Sequence, residues 1–160
     1  MAIVVFPGSF DPVTLGHLDI AVRARSLFDR VIIAVAHNAR KAPLLDVDVR
    51  VRLATAAVRH LDGVEVHATT DLLVDFCKTV GAVAIVKGLR GGADYDVERP
   101  MALMNRSLTG IETVFVTGDH ALSHIASSLV RDVARHGGDI SPFVPPGVET
   151  AVLEALKRHE

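Results

Sequence analysis

The chain has one cysteine, no tryptophan, one tyrosine and six phenylalanines in 160 residues. A single thiol excludes an intrachain disulfide and fits a reducing compartment, so a cytoplasmic location is expected. Cys77 ends the apolar run Leu72 to Cys77, interrupted only by Asp75, which predicts a buried, inert thiol. Aromatic residues are 4% of the chain against 49% hydrophobic, so Val, Leu, Ile and Ala must fill the core. The formal net charge is −2. No global field therefore draws the protein to nucleic acid or a membrane, and any anion site must be local. No apolar run approaches the ~18 residues of a membrane span, and no basic stretch marks the start of a signal peptide. Internal repeats, linkers and low-complexity segments are missing, as are a P-loop and a G-x-G-x-x-G fingerprint. No His, Cys, Asp and Glu cluster has the spacing of a zinc site. Asp11 could assist a Mg²⁺, most of which nucleotide phosphates would hold. Ser9 has no sequence sign of an activating base, so no protein nucleophile is evident.

What is present is an alternation of strands and helices. Ile3 to Phe6 is a short β-branched run, the mark of a buried strand, and Pro7 and Gly8 stop it. A turn follows over Ser9 to Pro12. From Thr14, a fitting N-cap, Leu15, Leu18, Ile20, Ala21, Ala24 and Leu27 recur at helical spacing. Further strands are predicted at 31–36, 64–67, 82–86 and 114–117. Helices are predicted at 47–61, from an Asp71 cap to Val80, from Gly92 to Leu108, at 125–136, and at 148–157 behind Pro145 or Pro146. Pro100 falls inside the Gly92 to Leu108 stretch, where it removes one hydrogen bond or starts a new helix. The pattern predicts an α/β fold: one domain over residues 1–160 with a doubly wound, five-stranded parallel sheet. At this length about 70% of the unfolded surface can be buried.

Ligands of such sheets bind beyond the carboxyl ends of the strands. Three polar turns converge there: Gly8 to His17, His37 to Lys41, and Lys87 to Arg90. They bring His17, Lys41, Lys87 and Arg90 to one edge, with Arg131 nearby. Gly8 lets a backbone approach an anion closely, and the opening helix offers unpaired N–H groups. Lys and Arg both suit phosphate oxygens. Without a nucleophile, what remains is catalysis by positioning and charge stabilisation, which suffices for phosphoryl-type transfer.

The stretch GSFDPVTLGH resembles the opening motif of nucleotidyltransferases with a T/H-x-G-H box after their first strand. It is most similar to that of the bacterial phosphopantetheine adenylyltransferase family of coenzyme A synthesis. The resemblance recurs in order at Lys87 to Arg90, Met101 to Leu108 and Ser127 to Ser141, spanning essentially the whole chain. It implies a Rossmann-like fold, and attack of the 4′-phosphopantetheine phosphate on the α-phosphorus of ATP, giving dephospho-CoA and pyrophosphate without a covalent enzyme intermediate. It implies Mg²⁺ as cofactor, carried by the nucleotide phosphates rather than by protein side chains. By the same resemblance His17 is the catalytic donor to the α-phosphate. Ser9, Lys41, Leu73 and Lys87 match phosphopantetheine contacts, and Met104 and Asn105 line the pantetheine arm. Ser9, Phe10, His17, Gly88, Leu89, Arg90 and Glu98 match ATP contacts, and Leu122, Ser123, His124, Ile125, Ala126, Ser127 and Ser128 match the segment over the triphosphate. A homohexamer and feedback inhibition by CoA are implied as well. The chain departs from the pattern at Val97 and Leu122, where aromatic residues are usual, and at Ala126, where a serine is. Two other readings use the same residues: a nucleotidyltransferase with another phosphate acceptor, such as nicotinamide mononucleotide or a glycerol-type phosphate, and a CoA- or nucleotide-binding protein that has lost turnover.

Overall fold

A computed structural model describes residues 1–37 and 42–158. Five strands, β1 (Ile3–Gly8), β2 (Arg30–Ala36), β3 (Val64–Thr69), β4 (Ala84–Leu89) and β5 (Glu112–Thr117), form one sheet. All neighbours are parallel and the spatial order is β3-β2-β1-β4-β5. Helices α1 (Leu15–Leu27), α2 (Val47–Val58), α3 (Leu73–Thr79), α4 (Gly92–Thr109), α5 (Ser127–Arg135) and α6 (Val148–Arg158) connect and cover it. The doubly wound parallel sheet expected from the strand–helix alternation is present.

Side chains of a strand alternate between faces, and the core divides accordingly. Val4, Phe6, Val31, Ile33 and Val35 pack with Ile20, Ala21 and Ala24 of α1, Leu53 and Ala54 of α2, and Val148 and Val152 of α6. Val5, Ile32, Ala34 and Ile85 turn the other way, against Phe76 and Cys77 of α3. Cys77 is fully buried, and burial raises its thiol pKa to about 11, so the inert reading holds.

The strands run further toward the ligand edge than the composition suggested. Pro7 and Gly8 stay in β1, in register with Ala34 and Val35 of β2. Lys87, Gly88 and Leu89 belong to β4 instead of to a turn after it. Pro7 lacks an N–H, and it lies beyond Val4 and Val5, where β1 is paired with β4. Asp71 does not cap α3: the N-cap is Leu72, without a side-chain bond, and the Asp71 N–H donates to Thr69 Oγ1. The fifth helix starts at Ser127 rather than Ile125. Helix α4 passes through Pro100 as one element, so the proline neither breaks it nor begins another. No helix among the described residues is long and apolar enough to cross a membrane.

Candidate active site

Strand β1 has β2 on one side and β4 on the other, so the chain reverses its winding between β1 and β4. In open α/β sheets the ligand crevice lies outside the strand ends at such a switch point. A cavity of about 450 Å³ occupies that place. Phe6, Pro7 and Gly8 end β1 on its floor; Gly16, His17, Asp19 and Ile20 of α1 make one wall. Lys87 to Arg90, with Asp94, Val97 and Glu98 of α4, make the opposite wall, and the chain from Gly118 to Ser127 closes the side.

The His17 ring is fixed by the start of α1. Thr14 is the N-cap, and its Oγ1 accepts the His17 backbone N–H at 3.4 Å. In return the Thr14 N–H donates to His17 Nδ1 at 3.0 Å. This is a capping box with an imidazole where Glu or Gln usually serves. Because Nδ1 accepts, the neutral ring carries its proton on Nε2. Phe10 supports the ring from below, with centroids 4.8 Å apart, and Phe6 meets Phe10 edge-on at 5.4 Å. Burial, then the charges of Arg90 and Lys87, lower the His17 pKa to about 4. His17 is therefore a neutral hydrogen-bond donor at physiological pH.

Each cation of the far wall has a carboxylate partner. Lys87 Nζ lies 3.1 Å from Glu98 Oε1. Arg90 pairs with Asp94 at 3.3 Å, and its guanidinium also donates to the Ile125 carbonyl. Burial would raise the Asp94 pKa, but hydrogen bonds from the Arg90 backbone N–H and guanidinium outweigh it and hold the carboxyl below its ordinary value. Asp19 accepts the Asp119 N–H at 2.8 Å and pairs with Arg23. Gly88 has a steric reason: a Cβ there would stand 2.6 Å from Ile20 Cγ1, so α1 and β4 approach this closely only over a glycine.

Of the residues matched by resemblance, His17, Lys87, Gly88, Leu89, Arg90, Glu98, Leu122, Ile125, Ala126 and Ser127 line the cavity. Leu73 and Asn105 line a smaller hollow of about 40 Å³, which shares Pro7, Lys87 and Glu98 with the large one. Met104 lies outside both cavities and is exposed. Phe10 is 2% exposed and sits beneath His17 rather than facing the cavity. Ser9 is exposed beside the cavity lining, Ser123 Oγ donates to the His120 carbonyl, the His124 ring meets Phe143, and Ser128 is exposed on α5. Lys41 lies outside the described residues. Asp11 is corrected as a metal-assisting group: it is buried, and its two oxygens accept the Leu44 and Leu45 N–H groups, each at 2.9 Å.

Sequence reasoning passed over Asp19 and Asp94 as lining residues. The four-residue spacing of Arg90 and Asp94 at a helix start was the available signal. Asp19 and Asp119 are 100 positions apart in the chain and meet only through the fold.

A switch-point cavity with a neutral imidazole facing two cations is the arrangement of a nucleotidyltransferase. The sequence pattern described as cytidylyltransferase-like matches residues 5–133. A solved structure described as a putative nicotinate-nucleotide adenylyltransferase from Vibrio parahaemolyticus aligns over 100% of this chain and 98% of its own, with a TM-score of 0.71 and 22% identity. That likeness speaks for the fold alone. The phosphopantetheine adenylyltransferase of Nocardioides sp. is 51% identical over 144 residues, covering 90% of this chain and 91% of the relative. That of Bifidobacterium longum is 48% identical over 158 residues, covering 98% and 95%. The chain belongs to the phosphopantetheine adenylyltransferase family.

Proposed function

We propose that the protein transfers the adenylyl group of ATP to 4′-phosphopantetheine, giving 3′-dephospho-CoA and pyrophosphate. The observation that carries this is the His17 ring, held by Thr14 through Nδ1 so that Nε2–H is the donor on the cavity wall, opposite Lys87 and Arg90. A donor that is neutral in the resting site adds no charge of its own and meets the α-phosphate oxygens as negative charge builds on them. The acceptor phosphate is itself the nucleophile, so its attack on the α-phosphorus and departure of pyrophosphate need no covalent enzyme intermediate. Glu98 and Asp94 must give up Lys87 and Arg90 as phosphates arrive.

The large cavity fits the nucleotide, with Gly88, Leu89, Arg90 and the 122–128 segment around it. The hollow beside Leu73 and Asn105 fits the pantetheine arm, and Lys41 and Ser9 are assigned to the acceptor phosphate. Mg²⁺ enters on the nucleotide phosphates as part of the substrate, since the Asp11 oxygens are already engaged. Val97, Met101, Met104 and Leu108 form an exposed apolar stripe along α4, which supports assembly into a homohexamer. CoA, which contains both halves of the product, fits as a feedback inhibitor. A cytoplasmic setting suits the free thiol of Cys77.

The test is pyrophosphate release from ATP and Mg²⁺ with separate acceptors. Release with 4′-phosphopantetheine alone is expected. Release only with another phosphate would change the acceptor, and binding without release would make the protein a nucleotide- or CoA-binding module. His17→Ala is expected to lower turnover at least about a hundredfold while sparing most substrate affinity; unchanged turnover would remove His17 from the mechanism.

A further inference from the structure

Asp19 follows His17 by two residues on α1 and lines the same cavity. A carboxylate is an unexpected neighbour for a triphosphate, because like charges repel. Both of its oxygens are engaged. Arg23, one turn further along α1, donates to them from Nε at 3.0 and 2.9 Å, and the Asp119 N–H donates to Oδ2 at 2.8 Å. Arg23 stands outside the cavity lining, so the charge of Asp19 is offset by a group that a ligand need not touch.

The bond to Asp119 fixes the root of the chain that closes the side of the cavity. Gly118 follows β5, and its N–H donates to the Leu89 carbonyl at 3.1 Å. A Cβ on Gly118 would stand 3.5 Å from both Asp19 Oδ2 and Ile20 Cδ1, so this root lies directly on α1. Asp119 Oδ1 then accepts the Ala121 N–H at 2.8 Å and opens a single 3₁₀ turn, His120–Leu122. The Ser123 hydroxyl donates back to the His120 carbonyl at 2.8 Å. Other groups hold the far end: Arg90 donates to Ile125 O at 3.3 Å, and Ser127 Oγ donates to Pro12 O at 2.8 Å. Asp19 holds the near end without standing among the residues matched to ATP.

We propose that Asp19 is a positioning residue for the nucleotide: through the Asp119 N–H it sets the 118–126 segment against the cavity, and so governs affinity for ATP and not for 4′-phosphopantetheine. This rests on the assignment of the 122–128 segment to the nucleotide made above. A segment held before the ligand arrives loses less conformational freedom on binding. An ionised acceptor makes the stronger bond to a backbone N–H, which accounts for an acidic group beside phosphates. The two effects of the carboxylate have opposite signs. As a charge alone it repels ATP, and its removal tightens binding. As a mooring it holds the rim, and its removal weakens binding.

The experiment uses the full-length protein with Asp19→Ala and Asp19→Asn. Calorimetry is expected to show the dissociation constant for ATP with Mg²⁺ rising about fivefold or more in Asp19→Ala, with that for 4′-phosphopantetheine within about twofold of the parent. Asp19→Asn keeps one oxygen for the Asp119 N–H and falls between the parent and Asp19→Ala. In kinetics the loss falls on the KM for ATP more than on kcat, because Thr14 and not Asp19 holds the His17 ring. Hydrogen exchange at the Asp119 amide reads the mooring itself, and faster exchange in Asp19→Ala is expected. If Asp19→Ala does not fold, Asp19→Asn carries the test, with weaker ATP binding expected. Unchanged or tighter ATP binding, or equal weakening of both ligands, would overturn the proposal. Failure of the parent protein to bind ATP would instead overturn the nucleotide assignment, with the exchange result standing apart.

Discussion

The His17 ring can be tested without turnover. Its pKa of about 4 arises first from burial and then from Arg90 and Lys87. At pH 5 a group with that pKa is protonated in about one molecule in ten, whereas a histidine at its ordinary 6.5 is about 97% protonated. An NMR titration of labelled imidazoles from pH 8 to 5 should therefore leave the His17 ring nearly unmoved. Its nitrogen shifts should report a proton on Nε2 and none on Nδ1, because Nδ1 accepts the Thr14 N–H. Arg90→Gln or Lys87→Gln should raise the midpoint only partway, since burial is the larger cause. The sign for stability follows from linkage. The unfolded chain takes up this proton near pH 6.5 and the folded chain only near 4. Between those values the unfolded state binds more protons, so the native state loses stability as pH falls through the window. The part due to His17 has a ceiling of about 3 kcal/mol at pH 4, read as the parent's loss beyond that of His17→Asn in denaturant titrations. A midpoint near 6.5, or a proton on Nδ1, would refute the account of a preset neutral donor.

The close approach of α1 to β4 gives another check. Gly88→Ala should destabilise by about 1–3 kcal/mol through contact with Ile20, and should cost less in an Ile20→Ala background; a cost that is the same in both would place the strain elsewhere. In α4, Pro100→Ala restores an N–H inside a continuous helix and should raise the denaturation midpoint, by up to about 3 kcal/mol in stability. A lower midpoint would mean that the proline serves the packing of this helix.

Much of this architecture could be read from residue order. The β-branched runs at 3–6 and 31–36 and the helical spacing from Thr14 to Leu27 are strong local signals, and the two faces of the sheet follow from them. Ends were less legible. Lys87, Gly88 and Leu89 look like a turn because glycine and charge are turn-forming, yet pairing with β5 keeps them in the strand. Asp71 has the right chemistry for a cap, but its backbone N–H is drawn to Thr69. At the site, His17, Lys87 and Arg90 stood out by residue type beside strand ends. Of the carboxylates that partner the cations, Glu98 is indicated only by the family resemblance, because it meets Lys87 only when helix packs on sheet, and Asp94 is passed over despite its four-residue spacing from Arg90. A charge on an amphipathic helix is expected to face solvent, but three carbonyls from distant segments turn Arg50 of α2 inward.

The pairing of Lys87 with Glu98 and of Arg90 with Asp94 has an effect on selectivity. Before any ligand arrives, the positive wall of the pocket is largely cancelled by its own helix. Stray polyphosphates and sulfate meet little net attraction and must displace a resident carboxylate to gain a foothold. Only a molecule whose charges reach both positions at once, with a base and an arm seated beside them, offsets two such displacements together. On the proposed function, the resting pocket is a poor general anion trap because its two cations are already paired.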